Sequence, residues 1–397
     1  MRLLLWFDLL STITFNGCIK VHLNMKKQRI YKIALTGGPC SGKTTVLSVL
    51  HSKLTSLGYR VLIAHETATI LINSRLIPGS IKFQEYVLDF MLHYEDMIEQ
   101  YAKDTGAEKV VILYDRGAIE GLAYVNRREQ RAYEQMIQSK GHSAVGLRDA
   151  RYEAVIHMVT AADGALDFYS TLSNEARYET PRQARYRDKR LKESWTGHAH
   201  LRIVNNKNKT FKGKVNEVVK LVFNFLGIPV PIEDERKFLI DRKFKMSNIP
   251  VHYQKVNIIQ HYLLTERGIS ERVRRKGQGG FFAFYNTIKI PILNSKSAKE
   301  EIERIVEQNE YNTLLIRQDP KCWPVVKDRA CYIWDDQYLE HDFFDQSLKR
   351  FPKDSLLELE LTEKNQKIII PSFVEPYVIR EVTGEEEYSN ANLARKN

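Results

Sequence analysis

The sequence predicts two successive units: an α/β unit whose parallel sheet carries helices on both faces, then an α+β unit built on an antiparallel sheet or barrel. Three observations predict it. Between residues 29 and 227, short β-rich runs alternate with longer helical patterns, as βαβ units do. A glycine-rich run, Gly37-Gly38-Pro39-Cys40-Ser41-Gly42-Lys43-Thr44-Thr45, stands between the first β-rich run and the first helical one. After the break Gly227-Ile228-Pro229-Val230-Pro231, short segments alternate in polarity with a period of two.

The composition allows this. A chain of 397 residues suits two or three domains, and 43% hydrophobic with 27% charged residues is ordinary for a globular protein. The formal charge of +11 suits phosphate-bearing partners (nucleotides, polyphosphate, anionic lipid heads or nucleic acid) or serves solubility alone. Cys18, Cys40, Cys322 and Cys331 show no C-x-x-C spacing, which argues against zinc or a disulfide framework and fits reduced thiols in the cytosol. The opening Met1-Arg2 and Leu3-Leu4-Leu5-Trp6-Phe7 resemble a short signal sequence, but Asp8 interrupts the apolar run. The expectation is that residues 1–24 are a start-site artefact or dispensable extension and that Met25 opens the functional chain. No apolar stretch reaches the ~20 residues that span a bilayer. The reading is a cytoplasmic protein with peripheral membrane contact open to it.

The elements of the first unit follow in order. Strands are expected at Tyr31–Leu35, Arg60–Ala64, Lys109–Tyr114, Ala154–Thr160 and Leu201–Val204. Phe211, Val215, Val218, Val219, Val222 and Phe225 recur at helical spacing, so Phe211–Leu226 reads as the closing helix. In the second unit, strands are expected at Glu233–Ile240, Glu271–Lys276, Ala283–Lys289, Lys327–Ile333, Tyr338–Phe343, Leu356–Leu361 and Lys367–Ile370, with one helix at Ser297–Gln308. The expected units are 29–227 and 231–395, after an extension at 1–28.

The glycine-rich run fits G-x-x-x-x-G-K-[ST] between a strand and a helix. That is a P-loop: its glycines let backbone N–H groups converge on phosphate oxygens, and the next helix presents its positive end to the same anion. Residues Gly37 to Thr45 are thus the nucleotide-binding set, with Lys43 bridging β- and γ-phosphates and Thr44 ligating Mg²⁺. Asp115 ends an apolar strand where ligands bind in such sheets, so it reads as a metal-holding Walker B carboxylate or as a helix cap. Arg116 follows and reaches for a phosphate or an acidic substrate. Glu66, after the second strand, reads as a general base or as a charge partner at a helix start. In the arginine-rich stretch Asn174–Trp195, Arg177 and Arg185 are the preferred lid cations, against a solvated helix face.

The second unit repeats charge at alternate positions, which places it on one face of each strand. Glu233, Glu235 and Lys237 do so first. Arg272, Arg274 and Lys276 follow, then Thr287 and Lys289, Lys327 and Arg329, Glu340 and Asp342, and Glu358 and Glu360. One such strand is a solvent-facing surface; six of mixed sign read as a charged lumen. The cations Lys237, Arg272, Arg274, Lys276, Lys289, Lys327 and Arg329 would hold a polyanion, and Glu233, Glu235, Glu358 and Glu360 a divalent metal.

These strands resemble the CYTH-type triphosphate tunnel fold. Asp115-Arg116-Gly117, with Ala161-Ala162-Asp163-Gly164-Ala165 and Glu179-Thr180, is similar to the P-loop domain of NadR-type ribosylnicotinamide kinases and of TRPL translocation defect proteins. The two domains in one chain resemble the latter family over residues 29–395, with further support at His65–Thr69, Arg151-Tyr152, Gly197-His198 and Glu381-Val382-Thr383-Gly384. Asp234 departs from the apolar residue usual between the two glutamates. The resemblance implies an α/β P-loop NTPase domain followed by an α+β CYTH-like antiparallel β-barrel or tunnel. It further implies GTP or ATP binding, phosphoinositide binding and a part in membrane-protein trafficking. Besides this regulatory reading stand a small-molecule kinase using Lys43, Glu66, Asp115 and a lid arginine, and a metal-dependent triphosphatase in the tunnel. Nucleic acid is not expected as a partner, because no basic patch is interleaved with aromatics.

Overall fold

The computed structural model describes residues 28–169, 179–207, 210–228, 235–266, 269–291, 299–345, 347, 352–361 and 367–396. The extension at 1–27, Arg177 and Glu233 lie outside this set, and so do the side chains of Glu301 and Glu360.

The first unit runs β1 (Arg29–Thr36), α1 (Lys43–Ser56), β2 (Arg60–Ala64), α2 (Thr67–Asn73), α3 (Ile81–Asp104), β3 (Lys109–Asp115), α4 (Gly121–Tyr124), α5 (Gln130–Ser139), α6 (Ala144–Asp149), β4 (Ala154–Met158), α7 (Pro181–Trp195), β5 (Leu201–Val204) and α8 (Phe211–Phe225). Its strands form a parallel five-stranded sheet in the order β2-β3-β1-β4-β5. All five expected strands are present. Because both faces are covered, the strands read as continuous apolar runs. Val46, Leu47, Leu50 and Leu54 of α1 and the valines of α8 pack on one face. Phe83, Leu88 and Met91 of α3, with Tyr133, Leu147 and Trp195, pack on the other.

The second unit runs β6 (Glu235–Ile240), β7 (Tyr253–Tyr262), β8 (Ser270–Gln278), β9 (Phe281–Pro291), β10 (Lys299–Val306), α9 (Gln308–Leu315), β11 (Val325–Trp334), β12 (Gln337–Phe344), β13 (Ser355–Glu360), β14 (Val378–Glu381) and α10 (Asn390–Ala394). The nine strands make one antiparallel sheet, β10-β9-β8-β7-β11-β12-β13-β6-β14. Three expectations are corrected. Within the stretch expected as a helix at Ser297–Gln308, Lys299–Val306 is strand β10, and the helix begins only at Gln308. Its many glutamates favour a helix, but Ile302, Ile305 and Val306 are β-branched and the whole run pairs with β9. Lys367–Ile370 forms no strand; Ile369 exchanges two hydrogen bonds with the Gln337 side chain instead. The sheet is also open rather than a closed barrel, since β10 and β14 end the order and do not pair with each other among the described residues.

The first unit covers part of the charged face of this sheet. The Lys276 ammonium donates to the Gly197 carbonyl at 2.5 Å and the Tyr285 hydroxyl to the Asp149 carbonyl at 2.6 Å. The Tyr338 hydroxyl donates to the His198 carbonyl at 3.0 Å and accepts from the Gly197 N–H at 3.2 Å. Val256, Ile258, Cys331 and Tyr338 join the apolar cluster of the first unit.

Candidate nucleotide site and the charged sheet face

The P-loop leaves β1 and enters α1 with three positive φ angles, at Gly37 (142°), Cys40 (56°) and Gly42 (94°). A Cβ at Gly37 would come 2.1 Å from the Met158 carbonyl oxygen, and one at Gly42 would lie 2.5 Å from the Phe211 ring. Only glycine fits at either position. Gly42 is the N-cap of α1 and offers no side chain to its first amides, so those donors stay open to an anion. Thr44 and Thr45 stand exposed on this first turn, while Ser41 and Lys43 are buried.

The Lys43 ammonium donates to the Gly37 carbonyl at 3.2 Å. Burial, then the neighbouring Arg116, pulls its pKa below the ordinary lysine value. An incoming phosphate reverses that penalty. Asp115 sits opposite, at the end of β3; burial pushes its carboxyl up, and its Oδ1 has no hydrogen-bond partner. Thr36 Oγ1, Ser41 Oγ and Thr67 Oγ1 are likewise buried without partners. Thr36 and Asp115 end β1 and β3, Ser41 lies in the loop after β1, and Thr67 opens α2 just after β2. Buried polar groups are normally satisfied, so this cluster fits a ligand made of phosphate oxygens and a hydrated Mg²⁺, with Thr44 and Asp115 as the metal's protein ligands.

Arg116 adopts a left-handed backbone (φ 85°) that turns its guanidinium back over the loop. It pairs with Glu66, donates to Glu120 Oε2 at 3.1 Å and approaches the Gly37 carbonyl at 3.4 Å. Burial pushes the Glu66 carboxyl up, but Arg116 and Lys43 outweigh it and hold the group down at about 2. So acidic a carboxylate is a poor proton acceptor. In this arrangement the Glu66 carboxylate aims Arg116 from the N-cap position of α2.

Arg185 donates to the Ala162 carbonyl at 2.8 Å, next to the Ala161 amide that reaches the P-loop carbonyl of Cys40 at 3.3 Å. Arg187 stands beside Arg116. Its guanidinium lies 4.5 Å from the Tyr124 ring centre, and that of Arg116 lies 5.6 Å from the same ring. Arg187 also leaves a buried Nε unpaired. Two residues apart on a helix, Arg185 and Arg187 point in different directions, and charge counting alone did not separate them.

Sequence reasoning also missed Asp188, Thr160, His157 and Glu120. The Asp188 Oδ1 accepts from Gly38 N at 2.9 Å, Thr160 N at 3.0 Å and His157 Nε2 at 3.1 Å. An ionised carboxylate only accepts, so His157 carries its proton on Nε2. The Thr160 hydroxyl donates to the Pro39 carbonyl. Glu120 accepts from Arg116, the Gly117 N–H at 3.3 Å and the Trp195 indole at 3.1 Å. The one hint was Asp188 itself, the lone acid in Arg185-Tyr186-Arg187-Asp188-Lys189-Arg190.

On the second sheet, the alternating charges do face inward together. Lys237, Lys327, Arg329, Glu340, Asp342 and Glu358 are all buried. They hold one another. Arg329 bonds Asp342 at 2.6 and 2.7 Å, Glu358 at 2.6 Å, and Glu340. Lys327 pairs with Asp342; Lys237 reaches Glu358 at 3.0 Å and Glu235 at 3.3 Å. Here three cations meet four carboxylates, the mixed-sign face that the alternating charges predict. Lys237, Arg329 and Glu358 are engaged in ion pairs with one another. No group of three or more His, Cys, Asp or Glu residues is arranged to hold a metal ion among the described residues. On the other flank, Arg274 pairs with Glu303 at 3.1 Å and lies over Tyr285; Arg272 lies against Tyr262, and Lys289 stands opposite Ser270 in the neighbouring strand.

Residues 32–211 match the family model of an AAA domain. This segment carries the P-loop and its parallel sheet. No curated protein matches the chain. Among solved structures, a thymidylate kinase from Candida albicans is 16% identical, with 52% of this chain and 96% of that one covered and a TM-score of 0.37. A Pyrococcus horikoshii OT3 protein is 19% identical over 34% of this chain and 80% of its own, with a TM-score of 0.26. A Hippeastrum protein described as having a dominant triphosphatase activity is 17% identical over 33% and 80%, with a TM-score of 0.24. No helix of the described residues is long and apolar enough to cross a membrane.

Proposed function

We propose that the first unit binds a magnesium complex of GTP or ATP and transfers its γ-phosphoryl group to a small acceptor on the Arg116 side of the loop. One observation carries this reading: four buried oxygens without partners, Thr36 Oγ1, Ser41 Oγ, Thr67 Oγ1 and Asp115 Oδ1, gathered at the strand ends that frame Lys43. Thr44 and Asp115 would hold Mg²⁺, which when bound neutralises charge on the phosphates. Lys43 supplies charge from a site where burial makes that charge costly in the empty state. Arg116, aimed by Glu66 and Glu120, and Arg187, stacked on Tyr124, supply cations on the acceptor side.

The test is calorimetric titration of GTP and ATP, with and without Mg²⁺, into wild-type protein and Lys43→Ala. Wild type should bind at least one of them, and Lys43→Ala at least about 100-fold more weakly with an unchanged melting curve. Equal affinities refute the reading. Turnover should fall at least about tenfold in Arg187→Ala and little in Arg185→Ala.

The finer reading from the family resemblance is a regulatory protein of the TRPL translocation defect kind. Its CYTH-like unit would capture a phosphoinositide head group or polyphosphate in membrane-protein trafficking. Arg272, Arg274 and Lys289, on one flank of the charged face, favour it. Binding of phosphoinositide vesicles or tripolyphosphate that is lost in Arg272→Ala with Arg274→Ala supports this reading; unchanged binding removes it from this flank. The triphosphatase alternative needs Glu235 beside Glu233, with Glu358 freed from Lys237 and Arg329, and metal-dependent tripolyphosphate hydrolysis would reveal it.

A further inference from the structure

Asp188 is 1% exposed, so no solvent stands in for the bonds it makes. Its Oδ1 gathers the Gly38 amide of the P-loop, the Thr160 amide after β4 and His157. The approach is close enough that a Cβ at Gly38 would lie 2.9 Å from that oxygen. The other carboxylate oxygen faces the Lys192 ammonium at 3.5 Å, one turn further along α7. Lys192 in turn reaches Asp336 Oδ1 at 2.8 Å. Asp335 and Asp336 form the two-residue turn between β11 and β12, with φ of 50° and 60°, the left-handed pair that suits a tight hairpin. The other turn residue, Asp335, pairs with Lys207 of the first unit. The same two strands carry Arg329 and Asp342.

A chain of polar contacts therefore runs from a P-loop amide through Asp188 and Lys192 to the hairpin of the second sheet. We propose that Asp188 is a positioning residue for the phosphate loop, and that the Asp335-Asp336 turn sets its grip through Lys192. Occupancy of the P-loop and the state of the β11–β12 hairpin are then linked, and the link is reciprocal. Helix α7 is the lever. Held at Asp336, it keeps Asp188 beneath Gly38; released, it lets the Gly38 amide turn away and the loop lose its phosphate-ready shape. The proposal rests on nucleotide binding at the P-loop.

The test compares nucleotide affinity and melting temperature in the full chain for wild type, Asp336→Asn, Asp336→Glu, Lys192→Met and the double variant Lys192→Met with Asp336→Asn. Asparagine tolerates the left-handed turn, so Asp336→Asn removes the charge and keeps the hairpin. The expected result is about 3- to 10-fold weaker GTP or ATP binding in Asp336→Asn, in the range of ordinary coupling between sites. The double variant should be no weaker than Lys192→Met alone, and Asp336→Glu should restore binding. A merely structural contact would lower the melting temperature and leave affinity unchanged. Unaltered affinity in Asp336→Asn, or additive losses in the double variant, overturns the proposal. If wild type binds and Lys43→Ala does not while Asp336→Asn matches wild type, the link alone falls. If wild type binds neither nucleotide, the nucleotide reading falls and takes the link with it.

Discussion

Arg116 and Glu66 form an ion pair across the carboxyl ends of β3 and β2, the guanidinium Nε meeting the carboxylate Oε1 beside the P-loop. Glu66 spends its second oxygen on the Thr69 hydroxyl at 3.0 Å. Both oxygens are engaged before any substrate arrives.

The pair predicts how stability responds to acid. Glu66 is held at about 2 in the folded chain, below the ordinary 4.5. A depressed carboxyl stabilises the fold above its unfolded value and loses that stabilisation as pH falls through the folded one. Glu66→Gln should therefore cost about 2–3 kcal/mol at pH 7 and nothing extra near pH 2. Urea unfolding at several pH values measures this. The acid limb of a turnover profile should also survive in Glu66→Gln, because the group is already ionised there; loss of that limb would restore Glu66 as the base.

A second prediction concerns the hub of the other sheet. Arg329 touches Glu340, Asp342 and Glu358, and its pKa stands well above the ordinary arginine value because Asp342 and Glu358 outweigh burial. Truncating it strands buried carboxylates, the circumstance in which a lost partner is most expensive. Arg329→Met should destabilise the protein by about 3–5 kcal/mol in urea unfolding. Adding Asp342→Asn and Glu358→Gln should recover part of the loss. A cost under about 1 kcal/mol would mean that these charges are hydrated.

The P-loop was legible because its residues are consecutive, so spacing alone defined it. The groups that hold it in place were not. Asp188 and Glu120 come from segments far along the chain, and only the fold brings them to Gly38 and Arg116. The inward face of the second sheet was legible from period-two charge, since alternation fixes a face whatever the partner. What each charge meets there depends on register: Arg329 lies opposite Asp342, and Glu358 opposite Lys237, through pairings no local pattern encodes. Strand β7 was missed because Ile258-Ile259 breaks its alternation, yet it lies between β8 and β11, near the middle of the sheet. Strand β10 was misread because its glutamates mimic an exposed helix, while Glu303 is half-buried against Arg274, Thr287 and His200.

The last prediction is a pH response built on Glu95 of α3. Its carboxylate accepts from the Tyr152 hydroxyl at 2.8 Å and from Arg151 at 2.9 Å, and the Tyr152 hydroxyl accepts from the Ala118 amide at 2.7 Å, two residues past Arg116. Burial raises the Glu95 carboxyl to about 7, against the opposing pull of Arg151. Glu99 adds a smaller upward push. For a carboxyl raised in the fold, stability is fully present below its unfolded value near 4.5 and is lost as pH climbs through 7. The wild-type protein should therefore lose up to about 2–3 kcal/mol of unfolding free energy between pH 5 and pH 8 from this group. Glu95→Gln keeps an acceptor for Tyr152 and cannot ionise, so its stability should be flatter over the same interval. Parallel slopes for the two proteins would show that Glu95 is ionised throughout and that Arg151 compensates it fully.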